Sequence, residues 1–231
     1  MKKEKVANYV KSRNDSLTTQ KYGDLTIVFK ERFVNDIDYK KVLARVNNLL
    51  PEHFLNLIDI IYVGDFVFLR KRAVNAAYMD GAIYISNIEQ DSEEDLLDDI
   101  VHEFAHAVEE KYGYQLYSDG KIEDNFLGKR KRLRSLLKYD NYDLSLQDFS
   151  NPKFDPTFDD FIRKELGYKK LDGYIKNLFL DGYSVTSSRE YFARGFEEFY
   201  IGNTIYLKLV CPYIYIKLLS LHQGEEDLYE V

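Results

Sequence analysis

The sequence predicts an α+β fold: a small mixed sheet, then a helix carrying a metal-binding signature, then further helices. Three observations predict it. Short apolar runs of strand character stand at Asp24–Lys30, Leu57–Val63 and Ala82–Ser86. Helix-period apolar patterns dominate the chain after residue 90. No low-complexity linker or internal repeat interrupts the 231 residues, so one domain over 1–231 is the economical expectation, with an N-terminal helix and strand part over about 1–75.

Taken in order, DLTIVFK (24–30) alternates like a half-buried strand. Tyr39–Leu50 places Val42, Leu43, Val46, Leu49 and Leu50 at helical spacing. Leu57–Val63 and AIYIS (82–86) follow as strands. A long helix is then expected from Asp91 or Ser92. Ser92-Glu-Glu-Asp95 has the form of a capping box and gathers negative charge where the helix dipole favours it. Its buried stripe is Leu97, Ile100, Val101, Phe104 and Val108, and it is expected to stop before Gly113. Residues 114–180 hold two short helical patterns and a proline-containing acidic segment, and read as an insertion or helical subdomain. Another helix starts at Ser187 or Ser188, runs through Tyr200 and is ended by Gly202-Asn203. The last helical segment, Ile205–Leu221, is broken by Pro212.

Composition excludes several classes. A formal charge of −7 opposes nucleic-acid binding. The basic run Gly128–Arg134 (GKRKRLR) is expected to be a solvated helix face. No window has the ~18–20 apolar residues of a membrane span. The first fifteen residues lack the apolar stretch of a signal peptide. The expectation is a protein that stays in the cytoplasm of the producing cell, or is delivered or virion-associated by a route the sequence does not encode. Cys211, the single cysteine, sits among apolar residues and reads as a buried small hydrophobe.

The chemistry concentrates in HEFAH. On a helix, residues four apart share a face, so His102 and His106 can offer imidazole nitrogens to one Zn²⁺. Glu103 stands beside them, where a carboxylate can take a proton from water and pass it to a leaving amine. A catalytic zinc site needs a third protein ligand. Glu190 opens a helix that can pack against the HEFAH helix. Glu197 and Glu198 compete on that helix, and His53 and His222 are the remaining histidines. Glu109 and Glu110 read as a solvated face.

HEFAHAVEE together with GYSVTSSREYFARGFEEF resembles the zincin metallopeptidase family of anthrax lethal factor, the Pro-Pro endopeptidases and the toxin-like zincin domains associated with phage proteins. The match runs over about residues 78–220. The resemblance implies a zincin-like fold, one Zn²⁺ held by His102, His106 and Glu190, and Glu103 as catalytic base. It also implies that Tyr183, seven residues before Glu190, aims its hydroxyl at the scissile carbonyl, and that AIYIS is the edge strand along which an extended peptide or protein substrate lies. The gap between His106 and Glu190 is longer than in lethal factor, and Arg194 stands where the family often has an acid supporting a ligating histidine. The expected function is a zinc-dependent endopeptidase. The alternative is a non-catalytic interaction or structural module on the same scaffold, in a virus particle or toxin assembly.

Overall fold

The computed structural model describes residues 17–224; the charged N-terminal run and the acidic Glu225–Glu230 segment lie outside the described residues. The chain divides into two compact units between Ala107 and Val108, inside a continuous helix.

The N-terminal unit is built on a mixed five-stranded sheet: β1 (Thr18–Tyr22), β2 (Leu25–Phe29), β3 (Ile60–Gly64), β4 (Ala76–Met79) and β5 (Ala82–Ser86), in the order β1-β2-β3-β5-β4. β1 and β4 pair antiparallel with their neighbours, and β2, β3 and β5 run parallel. Side chains alternate across a sheet, so the register stacks Ile27, Ile61 and Ile83 in one row and Phe29, Val63 and Ile85 in the next, all buried. Helix α1 (Tyr39–Leu49) and the first turns of the long helix α4 (Glu93–Tyr117) cover this face. Leu43, Leu96 and Ile100 line the same small apolar space as Ile27, Ile61 and Ile85. The crossover from β2 to β3 runs through α1 and the short helix α2 (Glu52–Leu55), and the short helix α3 (Val67–Arg72) leads from β3 to β4.

AIYIS has the predicted bounds but not the predicted place. It is β5, an interior strand flanked by β3 and β4, and β4 is the edge strand instead. The reason is a two-residue hairpin. Asp80 and Gly81 both have positive φ (49° and 78°), the type I′ pattern whose twist suits a tight antiparallel return.

Ser92 caps α4 as expected, its hydroxyl accepting from the Asp95 N–H at 3.1 Å, and the predicted stripe from Leu97 to Val108 is buried. The helix does not stop before Gly113. It bends at Tyr112 (φ −109°, ψ 19°) and continues to Tyr117. Leu116 is buried in that last turn and the Tyr117 hydroxyl donates to Glu109, which outweighs the ~1 kcal/mol that a glycine costs a helix.

The C-terminal unit is helical. It contains α5 (Lys121–Tyr139), α6 (Pro156–Asp160) leading into a π-helical turn (Phe161–Leu166), α7 (Tyr168–Ile175), a 3₁₀ turn (Tyr183–Val185), α8 (Ser188–Tyr200), α9 (Thr204–Val210) and α10 (Pro212–Gln223). The segment expected to hold two short helices therefore includes one of 19 residues. Six aromatic residues of this core, Phe126, Phe158, Phe161, Phe179, Tyr191 and Phe192, are fully buried. Pro212 breaks the last helical segment at the cap residue Cys211, which is buried as expected.

The basic run of α5 departs from its reading as a solvated face. Lys131, Arg132 and Arg134 are exposed, but Lys129 and Arg130 are buried, because helical spacing puts them on the stripe of Ile122, Phe126, Leu133 and Leu137. The Arg130 guanidinium lies 3.8 Å over the Phe158 ring and donates to the carbonyls of Asn151 and Asp148. Lys129 Nζ donates to Tyr191 Oη at 2.7 Å and to the Val210 carbonyl, at the end of α9, at 2.6 Å. Burial lowers its pKa, while the neighbouring Cys211 opposes that shift. Replacing Lys129 by Met removes both bonds and strands the Val210 carbonyl. The expected outcome is a loss of about 1–3 kcal/mol in denaturant unfolding with metal affinity unchanged.

Candidate metal centre

The centre is assembled from two helices whose local sequence fixes their starting points. On α4, His102 and His106 are one turn apart. Their rings stand edge to face with centroids 4.9 Å apart. On α8, the Ser187 hydroxyl accepts from the Glu190 N–H at 3.1 Å, so the N-cap places Glu190 in the first turn. The spacing Ser187-x-x-Glu190 is that of a capping box.

One ligand atom from each of His102, His106 and Glu190 lies within 4.8 Å of the others, and no second group of this kind occurs among the described residues. His106 is buried and the other two are half-buried. Ligands 2.0–2.1 Å from a tetrahedral ion stand about 3.3 Å apart, a spacing within the bound that these three ligand atoms keep. Two imidazoles and a carboxylate form a mixed nitrogen and oxygen donor set suited to zinc and similar borderline divalent ions. The group can hold a metal ion.

The competing ligands are engaged elsewhere. Glu197 is buried against Arg194. Glu198 Oε1 accepts from the Asn203 N–H at 2.9 Å, at the start of α9. The His53 ring packs edge-on against Phe54, and His222 Nδ1 is 3.0 Å from the Tyr200 hydroxyl.

Glu103 is 6% exposed, and a buried carboxylate requires a donor. The backbone N–H of Tyr78, on edge strand β4, supplies one to Oε2 at 2.5 Å. A carboxylate has about four acceptor positions, so this bond leaves most of its accepting capacity. In the sequence this contact is announced only by Asp80-Gly81, which marks a hairpin and hence a strand before it.

Glu110 is exposed as expected, but Glu109 is not part of a solvated face. It accepts from Tyr117 and pairs with Arg189, Nε to Oε2 at 3.6 Å. Burial and the Glu109 carboxylate push the Tyr117 hydroxyl's pKa up, keeping it a donor.

Tyr183 opens the 3₁₀ turn that precedes α8, half-buried. Its carbonyl accepts from Thr186 Oγ1 at 2.8 Å, and its neighbour Ser184 donates its N–H to Asp181 Oδ1 at 2.8 Å. Arg194 pairs with Asp181, Nε to Oδ2 at 2.6 Å, and with Glu197. Among the described residues no helix is long and apolar enough to cross a membrane. Comparison of the chain with family models, curated proteins and solved structures finds no match.

Proposed function

We propose that the protein is a zinc-dependent endopeptidase of zincin type, as its resemblance to the lethal factor family implies. The observation that carries this reading is the convergence of His102, His106 and Glu190 on one point, with Glu103 adjacent on the same helix. Zinc is the ion that this donor set and the HEFAH spacing favour, and when bound it lowers the pKa of a coordinated water toward 7 and polarises a carbonyl.

The protein's own groups supply the rest. Glu103, oriented by the Tyr78 N–H, accepts the proton from the attacking water and returns it to the leaving amine. Tyr183 donates its hydroxyl to the oxygen on which negative charge develops. The substrate is an extended peptide added to the sheet at β4, the edge strand whose Tyr78 is bonded to the catalytic carboxylate.

The test is to measure zinc content and to challenge the zinc-loaded chain with a diverse peptide library. One zinc per chain and chelator-sensitive cleavage at a restricted set of sequences are expected. Stoichiometric zinc without cleavage of any peptide contradicts the peptidase reading and leaves a metal-fastened structural module. Replacing Tyr183 by Phe is expected to lower kcat by about 10²–10³ with little change in KM, because the hydroxyl acts on charge present only in the transition state. Zinc content and melting temperature are expected to hold. Lowered melting with unchanged kcat returns Tyr183 to a packing role.

A further inference from the structure

We propose that Arg194 is a positioning residue: its ion pair with Asp181 closes the segment Asp181–Arg194 into a loop and so fixes the Tyr183 turn against the helix that presents Glu190. The inference rests on the zinc-peptidase reading for its catalytic consequence, and on the geometry of the C-terminal unit for the staple itself.

Four residues after Glu190, Arg194 lies on the same face of α8, one turn further along. Its guanidinium reaches Asp181 at 2.6 Å, and Glu197, one turn further on, holds the other side of the fork. The guanidinium thus lies between two carboxylates, hydrogen-bonded to Glu197 and in ion-pair contact with Asp181. Asp181 in turn fixes the turn that carries Tyr183. It accepts the Ser184 N–H at 2.8 Å, and its own carbonyl accepts the Ser184 hydroxyl at 2.6 Å. Ser184, Thr186 and Ser187 are all buried. The turn is therefore internally rigid, joined to α8 by the chain through Ser187 at one end and by Arg194 through Asp181 at the other. With both anchors in place, the separation between Tyr183 and Glu190 is set. With the second removed, the turn can pivot about Ser187.

The experiment compares wild-type chain, Arg194→Met, Asp181→Asn and the conservative Arg194→Lys by amide hydrogen exchange over residues 181–187, each with and without zinc, together with zinc affinity and steady-state kinetics. In wild type, zinc binding at Glu190 is expected to slow exchange in this segment, because the staple carries the added rigidity to the turn. Arg194→Met and Asp181→Asn are expected to bind zinc with unchanged affinity yet lose that slowing, and Arg194→Lys to retain it. In parallel, kcat of Arg194→Met falls about ten- to a hundredfold with KM unchanged, as for a misplaced catalytic group, and the loss disappears in a Tyr183→Phe background. Equal zinc-linked slowing in wild type and Arg194→Met, no slowing in wild type, or a kcat loss undiminished in the Tyr183→Phe background overturns the proposal. Failure of every zinc-loaded protein to cleave peptides refutes the peptidase reading alone, since the exchange comparison still decides whether the staple exists.

Discussion

Replacing Glu103 by Gln is expected to leave zinc bound at one equivalent while cleavage falls by roughly 10²–10⁴, the contribution of a positioned general base. The expectation follows from where the side chain sits. Glu103 belongs to the ligand-bearing helix but is not one of the three converging groups, and its carboxylate is directed to the Tyr78 N–H. Glutamine keeps the volume and, through its carbonyl oxygen, the bond to that N–H, so the loss isolates proton transfer from packing. Mass spectrometry under native conditions gives the metal count, and turnover on the same sample gives the rate. Undiminished cleavage removes Glu103 from the mechanism.

Glu190→Ala is expected to have the opposite signature, with the metal itself lost. Removing one of three protein ligands should weaken zinc by more than the roughly 10- to 100-fold that accompanies loss of a supporting partner. Glu197→Ala and Glu198→Ala provide the contrast. Their carboxylates hold Arg194 and the start of α9, so these substitutions are expected to act on stability and to leave zinc affinity much closer to wild type. Competitive chelator titration ranks the three. A larger loss at Glu197 or Glu198 means that the ligand lies about two turns further along α8 than the geometry places it.

Local signals carried far into this fold. Alternating apolar residues located β2 and β5, the Ser92 and Ser187 caps located the starts of α4 and α8, and histidines four apart on the first of these helices identified the two imidazoles of the metal group. The failures share a physical cause, in that tertiary partners override local pattern. Ala76–Met79 is too short and too weakly alternating to announce a strand, and pairing with β5 makes it one. Gly113 would end an isolated helix, but the buried Leu116 and the Glu109–Tyr117 bond carry α4 past it. Charge alone marked GKRKRLR as surface. The aromatic rings and carbonyls that accept Lys129 and Arg130 come from segments distant in sequence, and only the 3.6-residue spacing from Phe126 to Leu133 hinted that two of the cations face inward. Glu190 was separable from Glu197 and Glu198 by family resemblance but not by spacing, since which face of α8 meets the histidines is a property of the folded chain.

Whether His102, His106 and Glu190 hold a zinc ion is read by zinc K-edge X-ray absorption on the metal-loaded protein. The expected spectrum shows one zinc per chain with a first shell of nitrogen and oxygen at about 2.0–2.1 Å and the multiple-scattering pattern of two imidazoles, which drops to one in His106→Ala. A shell containing sulfur at about 2.3 Å, a shell without imidazole, or an unaltered shell in His106→Ala contradicts it.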